Sequence, residues 1–292
     1  MRVDDQARKS VVFVGARHGD RFTPLGTGFL ASVRYQTVPL IPLIFVVTAD
    51  HVVEQIAGDN IAVRLNRKSG DVFTVTLEKK NKLTALDKDA DLAIFFLPTP
   101  IPDDCDHTSV LLDRSEFKAI LDEIWAPGLG DEIVTAGLYT SHHGVTKNVP
   151  VVRIGHIAML PDKDDPVLTQ RGCFLPAYLV EVKSIAGLSG SPVSINLPLM
   201  RLVGGKPEFR DGSSLICIGM MLGYHLVASA EDQIVVPKMQ GEEPQSEYSL
   251  DERNTGFAVV VPIEKLFDVM EASDTRKIMD AEIRRRRQSD GA

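Results

Sequence analysis

Three short segments carry residue types that can do chemistry together. Gly187-Leu188-Ser189-Gly190-Ser191-Pro192 sets a serine between glycines, ahead of a proline and the β-prone run Val193 to Ile195. That composition describes a tight turn that presents one hydroxyl and leaves neighbouring N–H groups uncovered. A serine hydroxyl is a poor nucleophile at neutral pH until a base takes its proton and a carboxylate holds the base in the right tautomer. The run Phe45 to Val53 supplies a histidine, His51, at the end of an apolar stretch, and Asp89 to Leu97 supplies an aspartate at the start of another. Asp87, Asp89 and Asp91 compete for the carboxylate role; Asp91 is chosen because it directly precedes the apolar strand Leu92 to Leu97. Taken alone, the hexapeptide also reads as an ordinary Gly/Ser/Pro turn between strands.

The chain order is His, Asp, Ser, which chymotrypsin-type barrels use and which subtilisin and α/β-hydrolase enzymes do not. On these residues the sequence resembles the trypsin-like serine peptidases, most closely the HtrA-type branch. Thr48-Ala49-Asp50-His51 matches T-A-x-H, Asp91-Leu92-Ala93 matches D-[IL]-A, and Gly187 to Pro192 resembles G-x-S-G-G-P. Gly26-Thr27-Gly28-Phe29 resembles the strand before the histidine, and Gly256-Phe257-Ala258-Val259 the family's late G-F-A-[IV] strand. The similarity runs from about Val11 to Ile263.

The resemblance implies a serine endopeptidase that works through an acyl-enzyme, with His51, Asp91 and Ser189 as the catalytic group. It also implies an oxyanion hole made by the backbone N–H groups of Gly187 and Ser189, and substrate-binding roles for Lys183, Leu222 and Tyr224. The implied partner is a protein or peptide substrate, with a regulatory protein as a second candidate; neither cofactor nor metal is implied. Two departures stand out. Ser191 replaces the family's second glycine, which bears on how closely the turn approaches substrate, and Leu188 replaces the usual Asp or Asn. A leucine cannot capture a new N-terminal amine, so a site competent without N-terminal cleavage is expected.

Two other readings use the same residues. A protease-fold module that binds peptide without turnover would share the motifs, although the complete triad weighs against it. An α/β-hydrolase esterase needs G-x-S-x-G and a histidine after the serine, whereas Ser191 occupies the last glycine and only His225 follows.

The elements that must position these residues are short β-runs separated by turn residues, the pattern of an all-β barrel protein. We read strands at Val11 to Val14, Thr27 to Val33, Leu43 to Thr48, Ile61 to Leu65, Val72 to Leu77 and Leu92 to Leu97. A second set follows at Glu132 to Leu138, Val151 to Ile157, Ala177 to Val182, Pro192 to Ile195, Leu215 to Leu222 and Gly256 to Pro262. The resemblance makes these two six-stranded antiparallel β-barrels around a central cleft. The expected divisions are 8–125, carrying His51 and Asp91, 126–262, carrying Ser189, and 263–288, a C-terminal helix and basic tail. The connecting segment Pro98 to Gly130 holds a short helix at Arg114 to Ile124. Ile263, Leu266, Phe267 and Met270 fall at i, i+3, i+4, i+7 in a helix expected over Pro262 to Gln288.

The chain has 292 residues, 44% of them hydrophobic, enough for one large or two modest cores. A net charge of −8 argues against general affinity for nucleic acid. Cys105, Cys173 and Cys217 are widely spaced and odd in number, which gives neither a disulfide framework nor a metal pair and suits a reducing compartment. The N-terminus lacks the pattern of a secretory signal, and the longest mainly apolar run, Val38 to Val47, is interrupted by prolines and falls well short of the ~20 residues that span a bilayer. A stand-alone cytoplasmic peptidase domain without a PDZ domain is therefore expected.

His18, His142, His143 and His156 read as strand or loop residues, and His225 as a candidate for the cleft wall. The acidic stretch Val227 to Thr255 is either a surface excursion or a gate, and Arg284 to Arg287 is a solvated helix end. Lys183 has two readings. Pointing inward, it would favour an acidic side chain before the cleaved bond; pointing outward and paired with Glu181, it leaves a pocket walled by Leu215 to Leu222 that takes apolar residues. Ser184 replaces it if the register moves by one.

Overall fold

Alternating or continuous apolar runs form the strands of this chain, and the strands sort into two units. The computed structural model describes residues 3, 5–35, 42–85, 90–98, 100–122, 124–169, 171–183, 185–211, 215–226 and 254–290. After a short helix α1 (Asp5–Lys9), the first unit holds β1 (Val11–His18), β2 (Arg21–Val33), β3 (Leu43–Ala49), helix α2 (Asp50–Gln55), β4 (Asn60–Asn66), β5 (Val72–Glu78) and β6 (Leu92–Phe96). Strand β7 (Val110–Leu111) follows, and then helix α3 (Arg114–Ile120).

The second unit holds β8 (Glu132–Gly137), β9 (Val151–Met159), β10 (Val167–Leu168), β11 (Phe174–Leu175), β12 (Tyr178–Glu181) and β13 (Pro192–Asn196). Strands β14 (Met200–Val203), β15 (Lys206–Phe209), β16 (Leu215–Leu226) and β17 (Asn254–Pro262) complete it, followed by helices α4 (Ile263–Glu271) and α5 (Ser273–Asp290).

The second unit is a closed barrel in the order β12-β17-β16-β13-β8-β9, with β10-β11 and β14-β15 as separate hairpins. The first is a sheet in the order β5-β4-β1-β2-β3-β6, with β7 added in parallel on β2. It has the six antiparallel strands expected of the first barrel, and among the described residues its outer strands β5 and β6 meet at one point. A single antiparallel bridge between Leu83 and Ile94, with N–H···O distances of 2.8 and 2.9 Å, brings the chain leaving β5 back onto β6. Leu30, Val46 and Phe95, paired across β2, β3 and β6, are buried on one face of the sheet, and Phe29, Phe45 and Ile94 are buried on the other. The barrel interior is filled by Ile133, Ile157, Val180, Val193, Ile195, Ile218 and Val260. Val11 and Phe13 of β1 join Ala136 and Leu138 at the end of β8 in a smaller cluster between the units.

Two helix expectations are corrected. The connecting helix stops at Ile120, not Ile124; it starts where it does because the Asp113 carboxylate accepts the N–H groups of Ser115 and Glu116 at 2.9 and 3.0 Å. The single C-terminal helix is two, broken at Ala272, which is extended (φ −61°, ψ 146°). The apolar face Ile263, Leu266, Phe267 and Met270 is buried as the spacing requires. In the arginine run, Arg285 and Arg286 both bind Glu282, at 2.7 Å, so that part of the run is held by the helix itself.

Candidate active site

Strand β3 ends at Ala49 and the chain turns at once into α2, which places His51 in the first turn of that helix. Strand β6 pairs with β3 in the register Ala49↔Leu92, so the residue before β6, Asp91, lies beside the start of α2. Asp91 turns the chain with φ +49°, a left-handed conformation that aspartate tolerates better than most side chains and that costs about 1–3 kcal/mol when the surroundings must enforce it. The enforcing contacts are visible. The Asp91 carbonyl accepts the Asp50 N–H at 2.9 Å, and its carboxylate Oδ1 accepts the His51 N–H at 3.0 Å.

The imidazole then meets the other carboxylate oxygen, with His51 Nδ1 2.6 Å from Asp91 Oδ2. An ionised carboxylate can only accept, so Nδ1 carries a proton, and in the neutral form of the ring the free lone pair is on Nε2. Asp91 is 4% exposed. Burial by itself pushes its carboxyl up, but the hydrogen bonds and charge of His51 together with the Arg171 guanidinium outweigh that and hold it below the usual carboxylate range.

The serine turn is built across both units. Three of its five N–H groups are spent on the protein: Leu188 donates to Ile185, Gly190 to Met221, and Ser191 to Leu188, at 3.2, 2.8 and 2.9 Å. Those of Gly187 and Ser189 have no acceptor among the described residues. Gly187 has φ +98°, and a Cβ there would come within 2.9 Å of the Leu138 side chain; Gly190 has φ +87°, and a Cβ there would come within 2.0 Å of the Thr27 carbonyl. Thr27 of β2 holds the turn through its N–H to the Ser189 carbonyl (3.0 Å) and its hydroxyl to the Gly187 carbonyl (2.6 Å). The same hydroxyl accepts the Leu138 N–H at 2.8 Å, and Thr48 donates to the Thr27 carbonyl at 2.7 Å. Ser189 is thereby brought alongside the end of β3 that leads into His51.

The two departures from the family pattern have physical explanations. Leu188 is fully buried in the barrel core, where it anchors the segment between the two unspent amides. Ser191 is also fully buried, and its hydroxyl lies against Gly137, where a Cβ would come within 2.1 Å of it. Ser191 therefore occupies interior space that Gly137 leaves open, and its side chain does not reach the outer face of the turn.

The Ser189 hydroxyl donates to the Leu222 carbonyl at 2.7 Å and makes no bond to His51. Leu222 itself is buried. Lys183 is exposed and borders a shallow groove with Val152, Arg153, Ile154, Glu181 and Gly256, so a basic pocket floor does not fit its position. Among the described residues no ion pair joins it to Glu181. Tyr224 is placed by its backbone in β16, opposite Ala258, and its side chain lies outside the described residues, as does that of His225. Ser184, Asp87, Asp89 and residues 227–253 of the acidic stretch lie outside them as well.

One residue that the sequence pattern did not single out belongs to the site. Arg171, in the turn between β10 and β11, donates through Nη1 to Asp91 Oδ1 at 2.7 Å and through Nη2 to Glu54 Oε2 at 2.9 Å. The only sequence signal is an arginine beside a glycine in a hairpin turn, which ordinary surface loops share.

Among the described residues, no group of three or more His, Cys, Asp or Glu side chains is placed to hold a metal ion. Cys105, Cys173 and Cys217 form no disulfide with one another, and burial pushes the Cys217 thiol up to about 12, far from a reactive thiolate. No helix among the described residues is long and apolar enough to cross a membrane.

Comparison with known proteins adds one finding. No family model and no protein of curated function matches the sequence. Among solved structures, the crystal structure of Deg5 aligns at 17% identity over 75% of this chain and 81% of that one, with a TM-score of 0.44.

Proposed function

We propose that this chain is a trypsin-like serine endopeptidase. The observation that carries the proposal is the conjunction of a His51–Asp91 pair of fixed tautomer with a serine turn whose only unspent N–H groups are those of Gly187 and Ser189. Rotation of the Ser189 side chain away from Leu222 frees its hydroxyl for His51 Nε2. As Oγ forms a bond to the scissile carbonyl carbon, its proton passes to Nε2, and the carbonyl π electrons move onto oxygen, facing the two amides. Nε2 then returns the proton to the leaving amine as the C–N bond breaks, giving an acyl-enzyme. Water, deprotonated by the same nitrogen, releases the acid and restores Ser189.

Asp91 serves as orienter and counter-charge in each proton transfer. The exposure of Lys183 supports an apolar pocket, walled by Leu215 to Leu222, before the cleaved bond, and small or medium apolar residues are the expected preference over Lys or Arg. Cysteines that form no disulfide suit a reducing, cytoplasmic setting.

The second reading is a silent module that binds peptide only. A fluorophosphonate probe separates the two. Labelling of the intact protein, lost in Ser189→Ala, is the result expected for the enzyme; an unlabelled, folded protein refutes it.

A further inference from the structure

We infer that Arg171 is a positioning residue that completes the His51–Asp91 pair from the opposite unit of the molecule. The inference rests on the catalytic reading of Ser189, His51 and Asp91. Its basis is one fork of hydrogen bonds. Nη1 of Arg171 binds Asp91 Oδ1 at 2.7 Å, and Nη2 binds Glu54 Oε2 at 2.9 Å. Glu54 sits on α2, the helix that carries His51, whereas Asp91 precedes β6. One planar guanidinium therefore ties the element bearing the base to the element bearing the acid. A fork with two parallel donors suits that task, and an ammonium, which is a point charge, does not.

The clamp is delivered by the β10–β11 hairpin, which pairs only through Val167↔Leu175 and Leu168↔Phe174. Its tip is closed by Thr169 N–H to the Cys173 carbonyl at 2.8 Å and Gly172 N–H to the Thr169 carbonyl at 2.9 Å. A carboxylate needs several donors to stay fixed, and without Arg171 the Oδ1 atom of Asp91 keeps only the His51 N–H. The clamp also sets charge. The charged groups facing the pair are Asp91 itself, Asp50 and Glu54 from α2, Lys82 from the segment after β5, and Arg171 from the hairpin. Lys82 is bound to Asp50, and Arg171 Nη1 lies 4.0 Å from that carboxylate. Removing Arg171 takes one cation from beside the pair and leaves three carboxylates there with one cation.

The test uses the full chain, with the rate of fluorophosphonate labelling at Ser189 followed as a function of pH. Arg171→Gln is expected to slow labelling about 10- to 100-fold and to move the acid limb of the profile upward by about one pH unit. Arg171→Lys keeps the charge, so the acid limb returns to its original position while only part of the rate is recovered. Labelling of Arg171→Gln at the original rate with an unmoved acid limb overturns the inference.

If Arg171→Gln does not fold, Glu54→Gln loosens one end of the clamp alone and is expected to slow labelling severalfold; an unchanged rate there counts against the inference. Failure of the catalytic reading is distinguishable, because the unaltered protein would then take no label. The downfield Nδ1 proton of His51, observed by NMR without any turnover, still reports on the clamp: it is expected to be sharp in the unaltered protein and lost to exchange in Arg171→Gln. A resonance equally sharp in both overturns the inference by itself.

Discussion

The base side and the nucleophile side of the candidate site differ in how much of their working geometry is already in place. On the base side, Asp91 is buried and bound by three donors, and the His51 tautomer is fixed by a 2.6 Å contact. On the nucleophile side the backbone is equally well fixed, with Thr27, Met221 and Ile185 consuming the turn's other polar groups, but the reacting hydroxyl is bonded to Leu222. The difference is one of torsional freedom. A carboxylate and imidazole held by several hydrogen bonds cannot easily reorient, while a serine needs one χ1 rotation between staggered wells to change partner. The fold builds the buried ion-bound pair and the positive-φ turn, and under the proposed function the one remaining rotation is left to substrate binding.

The contrast is most severely tested on the base side. Asp91→Asn keeps the shape but replaces one accepting oxygen by a donor, which favours the wrong tautomer of His51; turnover or probe labelling is expected to fall on the order of 10⁴-fold with little change in secondary structure. A mild effect would mean that the tautomer is fixed elsewhere. On the nucleophile side, Gly187→Ala places a Cβ 2.9 Å from Leu138 at φ +98° and should swing the Gly187 amide away, with a loss of about 10²- to 10³-fold measured as acylation rate. If acylation is unchanged, the two unspent amides are not the oxyanion donors.

A subtler probe of the nucleophile side is the interior pair behind it. Gly137→Ala drives a Cβ to 2.1 Å from the Ser191 hydroxyl and 2.8 Å from that of Thr27, and should cost about 1–3 kcal/mol in denaturant unfolding. Adding Ser191→Gly relieves the first clash and leaves the second, so the double variant should recover part of the loss; strict additivity would show that the two positions do not share this space.

The smallest expected effect concerns pH and returns to the base side. Asp91 is held below its ordinary range, so its ionised form contributes stability that is fully present above the unfolded-state value of about 3.9 and is lost as pH falls through the lower folded-state value. The stability difference between the unaltered protein and Asp91→Asn, measured by thermal unfolding, should therefore be constant near neutrality and shrink below about pH 4. A gap that persists in stronger acid would have to come from packing.

What the sequence made legible follows the same division. His51, Asp91 and Ser189 each lie at the end or start of an apolar run, and such runs fix their own register because a one-residue slip would turn every core side chain outward. The relations that cross between units were not legible. Arg171 meets Asp91 across 80 positions, from a hairpin whose strands are too short to show alternation. The exchange of space between Gly137 and Ser191 is equally non-local. The six strands of the first sheet were legible, whereas strand count says nothing about how its outer strands meet. The break at Ala272 did leave a signal, since Ser273-Asp274 is a helix-starting pair, and the apolar spacing of α4 obscured it.

Thr27 carries a consequence for how such a protein is made. Its N–H and hydroxyl hold the carbonyls of Ser189 and Gly187, so one residue near the start of the chain is required to aim a turn that is translated much later. A chain leaving the ribosome passes through a long interval in which its base and acid exist with no nucleophile to serve. Under the proposed function, cutting power arrives only when the later-made half seats against the earlier one. Unfinished copies are then harmless to the nascent chains around them, and a nick in the connecting segment that let the halves separate would silence the enzyme without touching a reacting atom.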